Sequence, residues 1–137
     1  MEFISDKELC RLALEARKSA YSPYSGFAVG AALLTKSGRV YTGVNIENAA
    51  FTPTVCAERV AFFRAIADGE RDFVKIAIAG GKSRDTASKP VFPCGVCRQV
   101  MAEFCKGDFE ILLAYDGGYE KMMLDLALPN RFDKNNL

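Results

Sequence analysis

The sequence contains no histidine. That absence removes Ser–His and Cys–His nucleophilic catalysis and every metal site built on imidazole, so any transition metal must be held by sulfur and carboxylate. No apolar run approaches the ~20 residues that span a bilayer. The opening Met1-Glu2-Phe3-Ile4-Ser5-Asp6-Lys7 lacks the basic start and apolar core of a secretory signal. An excess of one charge is missing too: 18 Lys and Arg against 17 Asp and Glu leave a net +1, too weak a field to recruit nucleic acid or a membrane surface. Internal repeats, low-complexity segments and linkers are absent. Together these absences point to a cytoplasmic protein with no nucleic-acid and no membrane partner. The 137 residues, half of them hydrophobic, suffice for one domain over 1–137 with a substantial core.

The apolar pattern alternates between helical and strand periods. Residues 5–20 read as an amphipathic helix, with Ser5 as cap, Glu8 completing a capping box, and Leu9, Leu12, Ala13 and Ala16 on one face. After the turn-rich Tyr21-Ser-Pro-Tyr-Ser-Gly26, the runs Phe27–Thr35 and Val40–Ile46 around Lys36-Ser-Gly-Arg39 predict a β-hairpin. Glu47–Val55 reads as loop, Cys56–Asp68 as a helix stopped by Gly69, and Phe73–Ala79 as a buried strand closed by Gly80-Gly81. Lys82–Lys89 reads as a polar surface loop, Gly95–Phe104 as a helix, Phe109–Tyr115 as a strand and Tyr119–Leu124 as a last short one. The tail from Pro129 is polar and is expected to order only against something else. Alternation of strand and helix after residue 40 requires partly parallel pairing. The expected class is α/β: one mixed sheet of about five strands with helices on its faces.

Five cysteines are present: Cys10, Cys56, Cys94, Cys97 and Cys105. Cys10 and Cys105 fall in amphipathic helical stretches and read as free buried thiols. Cys94 and Cys97 are three apart, on one face of a helix start, and Cys56 opens the other predicted helix. Helix N-termini favour thiolates, so three thiols at two helix starts suit Zn²⁺. Glu58 follows two residues after Cys56. It fits either the fourth ligand of a closed structural site or a base beside an open catalytic one, and spacing does not choose. Zinc with three thiolates carries −1, which the helix ends, Arg59 and, more weakly, Arg98 can offset.

Cys-x-Glu followed by Pro-Cys-x-x-Cys is the pattern of zinc-dependent nucleobase deaminases. Beyond it, Tyr21-Ser-Pro-Tyr-Ser-Gly-Phe27, Val29-Gly-Ala-Ala-Leu-Leu34, Asn45-Ile-Glu-Asn48, Cys56-Ala-Glu-Arg59 and Pro93-Cys-Gly-Val-Cys-Arg-Gln99 resemble the small homotetrameric cytidine deaminases, from about Leu9 to Phe132. The resemblance implies a three-layer α-β-α fold and one Zn²⁺ per chain on Cys56, Cys94 and Cys97, with water or hydroxide in the fourth position. It implies Glu58 as proton shuttle while hydroxide attacks C4. Phe27 would pack on the nucleoside, Asn45 and Glu47 would bind ribose hydroxyls, and the Ala57 N–H would meet the pyrimidine carbonyl. Arg59 would hydrogen-bond the ligand sulfurs. Ala49, Phe51 and Phe132 would reach a neighbouring subunit's site. The implied reaction is deamination of cytidine and deoxycytidine to uridine and deoxyuridine in pyrimidine salvage.

The chain departs from the family where Phe92 replaces a common Ser before Pro-Cys-Gly and Phe51 replaces a common Tyr. Leu128-Pro-Asn-Arg-Phe132 matches the closing motif loosely. Two other functions compete: a related deaminase acting on a nucleoside antibiotic or polynucleotide base, and a structural Cys₃Glu zinc module.

Overall fold

The computed structural model describes residues 3–82 and 86–137. Met1 and Glu2 of the expected non-signal start, and residues 83–85 of the expected polar loop, lie outside the described residues. In order come α1 (Asp6–Ala16), β1 (Ala28–Thr35), β2 (Val40–Val44), α2 (Ala57–Ala67), β3 (Phe73–Gly81), α3 (Gly95–Phe104), β4 (Glu110–Tyr115), β5 (Gly118–Met123) and α4 (Leu124–Ala127). The strands form one sheet in the order β2-β1-β3-β4-β5. β1 is antiparallel to both β2 and β3, β3 and β4 are parallel, and β5 is antiparallel to β4.

Strict alternation along the three central strands builds two cores. Ala31 and Leu33, Ile76 and Ile78, and Ile111 and Leu113 pack with Phe62 of α2 and Met101 of α3. Their neighbours Ala32 and Leu34, Ala77 and Ala79, and Leu112 and Ala114 pack with Leu9, Cys10 and Ala13 of α1. The sheet is therefore covered on both faces, which gives the expected three layers and explains why these strands read as continuous apolar runs. Phe62 has its ring centroid 5.0 Å from Phe73, 6.1 Å from Phe109 and 6.3 Å from Phe104, tying α2 to α3 and to the sheet.

Several local expectations shift. Ser5 caps α1, its Oγ accepting from the Glu8 N–H at 3.1 Å. The reciprocal half of the capping box is replaced: the Glu8 carboxylate takes Arg11 Nε at 2.8 Å and Nη2 at 2.6 Å, because a charged bidentate pair outcompetes one backbone N–H. The α-helix ends at Ala16 and a 3₁₀ turn covers Arg17–Ser19. Gly80 and Gly81 do not close β3; they pair with Val29 and Ala28. A Cβ on Gly80 would lie 2.9 Å from Val91 and 3.0 Å from Phe27, so glycine here allows close approach and does not mark a turn. Ala87, in the segment read as polar surface, is fully buried. Cys105 is the partly buried C-cap of α3. α4 was not foreseen, and the tail is tied to its own chain by Gln99 Nε2 donating to the Phe132 carbonyl at 2.7 Å and by Arg131 on Asp125 at 2.6 Å.

Two features place the functional residues. β2 and β3 run in the same direction with β1 between them, so the helices that follow them, α2 and α3, start beyond the same end of the sheet, at the carboxyl ends of these strands, where α/β proteins bind ligands. Gly43 then lets α2 sit directly on β2: a Cβ there would lie 2.3 Å from the Ala57 carbonyl oxygen and 2.6 Å from the Ala61 nitrogen. Both contacts are backbone, so relief requires the helix to move. Gly43→Ala is therefore expected to cost about 1–3 kcal/mol of stability and to weaken metal retention, checked by urea unfolding and by zinc release to a chelator.

Candidate metal centre and active site

Cys56 and Cys94 are the N-cap residues of α2 and α3, both with extended backbone. Cys97 lies one turn into α3, and its N–H donates to Cys94 Sγ at 3.5 Å. The Sγ atoms of Cys56 and Cys94 are 3.6 Å apart, those of Cys94 and Cys97 3.5 Å. All three lie within 4.8 Å of one another. Disulfide-bonded sulfurs would be ~2.05 Å apart. A tetrahedral Zn²⁺ with Zn–S of ~2.3 Å sets its sulfurs ~3.8 Å apart. The thiols fit that ion closely, and zinc is the cofactor this donor set holds.

The surroundings favour negative sulfur. Arg59 Nη2 donates to Cys56 Sγ at 3.5 Å. Hydrogen bonds, first from Cys97 and then from Arg59 and Cys94, hold the Cys56 thiol well below the ordinary thiol range. Cys97, donating to that thiolate, is pushed well above the ordinary thiol range. Arg59 Nε is buried with no hydrogen-bond partner among the described residues, so the guanidinium meets the Cys56 sulfur through Nη2. Glu58 is only 4% exposed. Burial, with the Cys56 charge adding to it, raises its carboxyl to about 7, where a group can both take and give a proton at neutral pH.

A cavity of about 350 Å³ is lined by Cys56, Glu58 and Cys94 together with Phe27, Asn45 and Glu47. A larger one, about 570 Å³, lies against Glu103, Lys106 and Arg131 and holds none of the clustered thiols. Asn45 follows β2 and brackets the start of β1: its Oδ1 accepts the Val29 N–H at 2.9 Å and its Nδ2 donates to the Phe27 carbonyl at 2.8 Å. An amide has two donors and two lone pairs, so one donor and one lone pair remain beyond these two bonds. Glu47 accepts at Oε1 from the N–H groups of Tyr24 (2.9 Å) and Ser25 (3.1 Å), and at Oε2 from Ser25 Oγ (2.5 Å). These bonds, the Ser25 hydroxyl first, keep its carboxyl below the usual range.

The remaining expected residues are spread more widely. Ala57 is the first residue of α2 and is buried. Ala49, Phe51 and Phe132 do not line the cavity; Phe51 is 88% exposed. Phe92 does line it. Arg98 is not a charge partner for the sulfurs: Nε donates to the Pro93 carbonyl at 2.7 Å and Nη1 to the Ala127 carbonyl at 2.5 Å. Sequence reasoning missed Val91, in the cavity wall. It also missed Arg17, which is buried and donates to the Ala28 carbonyl at 3.0 Å and the Gly81 carbonyl at 3.2 Å. A charged residue on the apolar side of a helix end was the available signal for Arg17.

The raised Glu58 carboxyl has a consequence for the metal-free protein. The native state keeps a proton that the unfolded chain releases, so stability falls as pH rises from 4.5 to about 7. Between pH 5 and pH 8, metal-free Glu58→Gln should gain about 2–3 kcal/mol relative to metal-free wild type. Urea unfolding at both pH values checks this; a constant difference would mean Glu58 is not buried as a neutral acid.

Comparison with known proteins agrees with this geometry. Residues 4–112 match the family model described as "Cytidine and deoxycytidylate deaminase zinc-binding region". The chain is 48% identical to a cytidine deaminase of Sporosarcina psychrophila, over 90% of this chain and 88% of that one. It is 45% identical to a cytidine deaminase of Halalkalibacterium halodurans, over 94% and 95%. The crystal structure of cytidine deaminase from Burkholderia pseudomallei superposes with a TM-score of 0.86 at 41% identity, covering 94% of this chain and all of that one. With its Cys56–Cys94–Cys97 cluster set at two helix starts, the chain belongs to the zinc-binding cytidine and deoxycytidylate deaminase family.

Proposed function

We propose that residues 1–137 form one catalytic domain that deaminates the free nucleosides cytidine and deoxycytidine to uridine and deoxyuridine, with release of ammonia, in cytoplasmic pyrimidine salvage. The observation that carries this reading is one cavity lined by Cys56 and Cys94 of the thiol cluster, the buried Glu58 carboxyl and the polar side chains of Asn45 and Glu47. Zinc, one per chain, held by Cys56, Cys94 and Cys97, supplies a Lewis acid that lowers the pKa of water. Glu58 takes a proton from the attacking water and passes it to ring N3 as the new C4–O bond forms; it then takes the proton of the new C4 hydroxyl and passes it to the amino nitrogen as the C4–N bond breaks, leaving the C4 carbonyl and releasing ammonia. The Ala57 N–H, free at the first turn of α2, donates to the pyrimidine carbonyl. Phe27 packs on the base. Asn45 and Glu47 pair with ribose hydroxyls, which both donate and accept. Arg59 neutralises the sulfurs from outside the metal.

Removing zinc with a chelator should abolish the fall in ultraviolet absorbance that accompanies conversion of cytidine, and added zinc should restore it. Glu58→Gln should keep about one zinc per chain while turnover falls about 10²–10⁴-fold. Loss of zinc instead would make Glu58 a ligand and leave the structural Cys₃Glu module as the better reading.

The working unit in this reading is a homotetramer with shared sites, in which Ala49, Phe51 and Phe132 meet the neighbouring subunit's nucleoside. Large apolar side chains left in solvent, Phe51 at 88%, Phe92 and Phe132 at 62% and Val96 at 57%, favour such coverage. Sedimentation should give a tetramer; a fully active monomer would refute the shared site.

A further inference from the structure

The geometry points to Ser25 as the positioning residue that selects nucleosides carrying a ribose hydroxyl, by holding Glu47 as a fixed acceptor beside Phe27. This rests on the reading of Glu47 as a sugar ligand. Ser25 lies on the wall of the same cavity. Its Oγ donates to Glu47 Oε2 at 2.5 Å and accepts the Phe27 N–H at 2.9 Å, while its own N–H donates to Glu47 Oε1 at 3.1 Å. One serine thus joins the carboxylate expected on the sugar to the ring expected on the base. The turn that permits this is specific: Gly26 has φ +71°, a conformation glycine adopts without strain, and its N–H is anchored on the Ser22 carbonyl at 2.9 Å.

The consequence is chemical as well as positional. An ionised carboxylate offers about four acceptor positions and no donor. Tyr24 and Ser25 fill three, which leaves one and keeps the group ionised. Such a group rewards a ligand hydroxyl that donates and gives nothing to a sugar without one. Without the Ser25 hydroxyl, Oε1 keeps its two backbone donors but Oε2 loses its one donor and could bind water instead, so the discrimination belongs to the Ser25–Glu47 pair.

The zinc-loaded enzyme is assayed with cytidine and with 2′,3′-dideoxycytidine, which lacks both ribose hydroxyls, and the ratio of their kcat/KM values is the readout. Ser25→Ala should lower that ratio about tenfold, the worth of one hydrogen bond to a charged group. The loss should come mainly through KM for cytidine. Ser25→Thr, which keeps a hydroxyl, should restore most of it. Uridine against 2′,3′-dideoxyuridine binding by calorimetry should show the same split without turnover. Glu47→Ala should collapse the ratio, and adding Ser25→Ala to it should change nothing further. If Ser25→Ala does not fold, Ser25→Gly reads the same ratio. A collapse in Glu47→Ala with an unchanged ratio at position 25 overturns the role of Ser25. An unchanged ratio in both overturns the sugar-binding reading itself.

Discussion

Three sulfurs within 4.8 Å of one another repel strongly once ionised, and almost everything near them answers that repulsion. The first turns of α2 and α3 present their unpaired N–H groups and positive dipole ends to the cluster. Arg59 adds a full charge at 3.5 Å from Cys56 Sγ. A divalent cation completes the balance, since zinc with three thiolates is only −1. Without these contributions the thiols would stay protonated and the site would hold no metal. Glu58 beside them is driven up to about 7 chiefly by its burial, with the Cys56 charge adding to it.

The electrostatics depend in turn on topology. Two helix starts meet because β2 and β3 run the same way and each is followed by a helix on one face of the sheet. Their approach is close because Gly43 has no side chain between β2 and the first turn of α2. Arg17 clamps the opposite side of the sheet, joining the start of β1 to the end of β3 through the carbonyls of Ala28 and Gly81. Phe27 immediately precedes this clamp, so the wall of the cavity inherits its rigidity. The ledger of local interactions is modest; what matters is that each sits at the end of an element from which a functional residue emerges.

Much of this was legible in the sequence where local chemistry and tertiary demand agree. The start of α3 at Gly95, the hairpin around Lys36–Arg39 and the pairing of Cys56 with Cys94 and Cys97 all follow from periodicity, turn residues and the missing histidine. The misses fall where packing overrules the local signal. Gly80-Gly81 looks like a turn and is strand, where Phe27 and Val91 crowd Gly80 and the Thr86 carbonyl and Arg17 crowd Gly81. Arg98 looks like a solvated or charge-balancing residue, yet it braces two carbonyls 34 positions apart in the chain (Pro93 and Ala127). Ser25 is one serine in a turn-rich run, and only the folded chain brings it to Glu47. α4 is too short at four residues to announce itself by periodicity.

The cavity is also divided by origin. The metal and proton chemistry proposed for it belongs to helix starts, at Cys56, Glu58 and Cys94, packed on the sheet. The remaining wall comes largely from connecting segments and strand ends, at Ser25, Phe27, Asn45, Glu47, Val91 and Phe92. Substitutions in those connections can reshape the wall without shifting a metal ligand. Inheritance can therefore vary the ligand while conserving the reaction, and an engineer seeking a new nucleoside has a stretch of chain to redesign that leaves the catalytic framework alone.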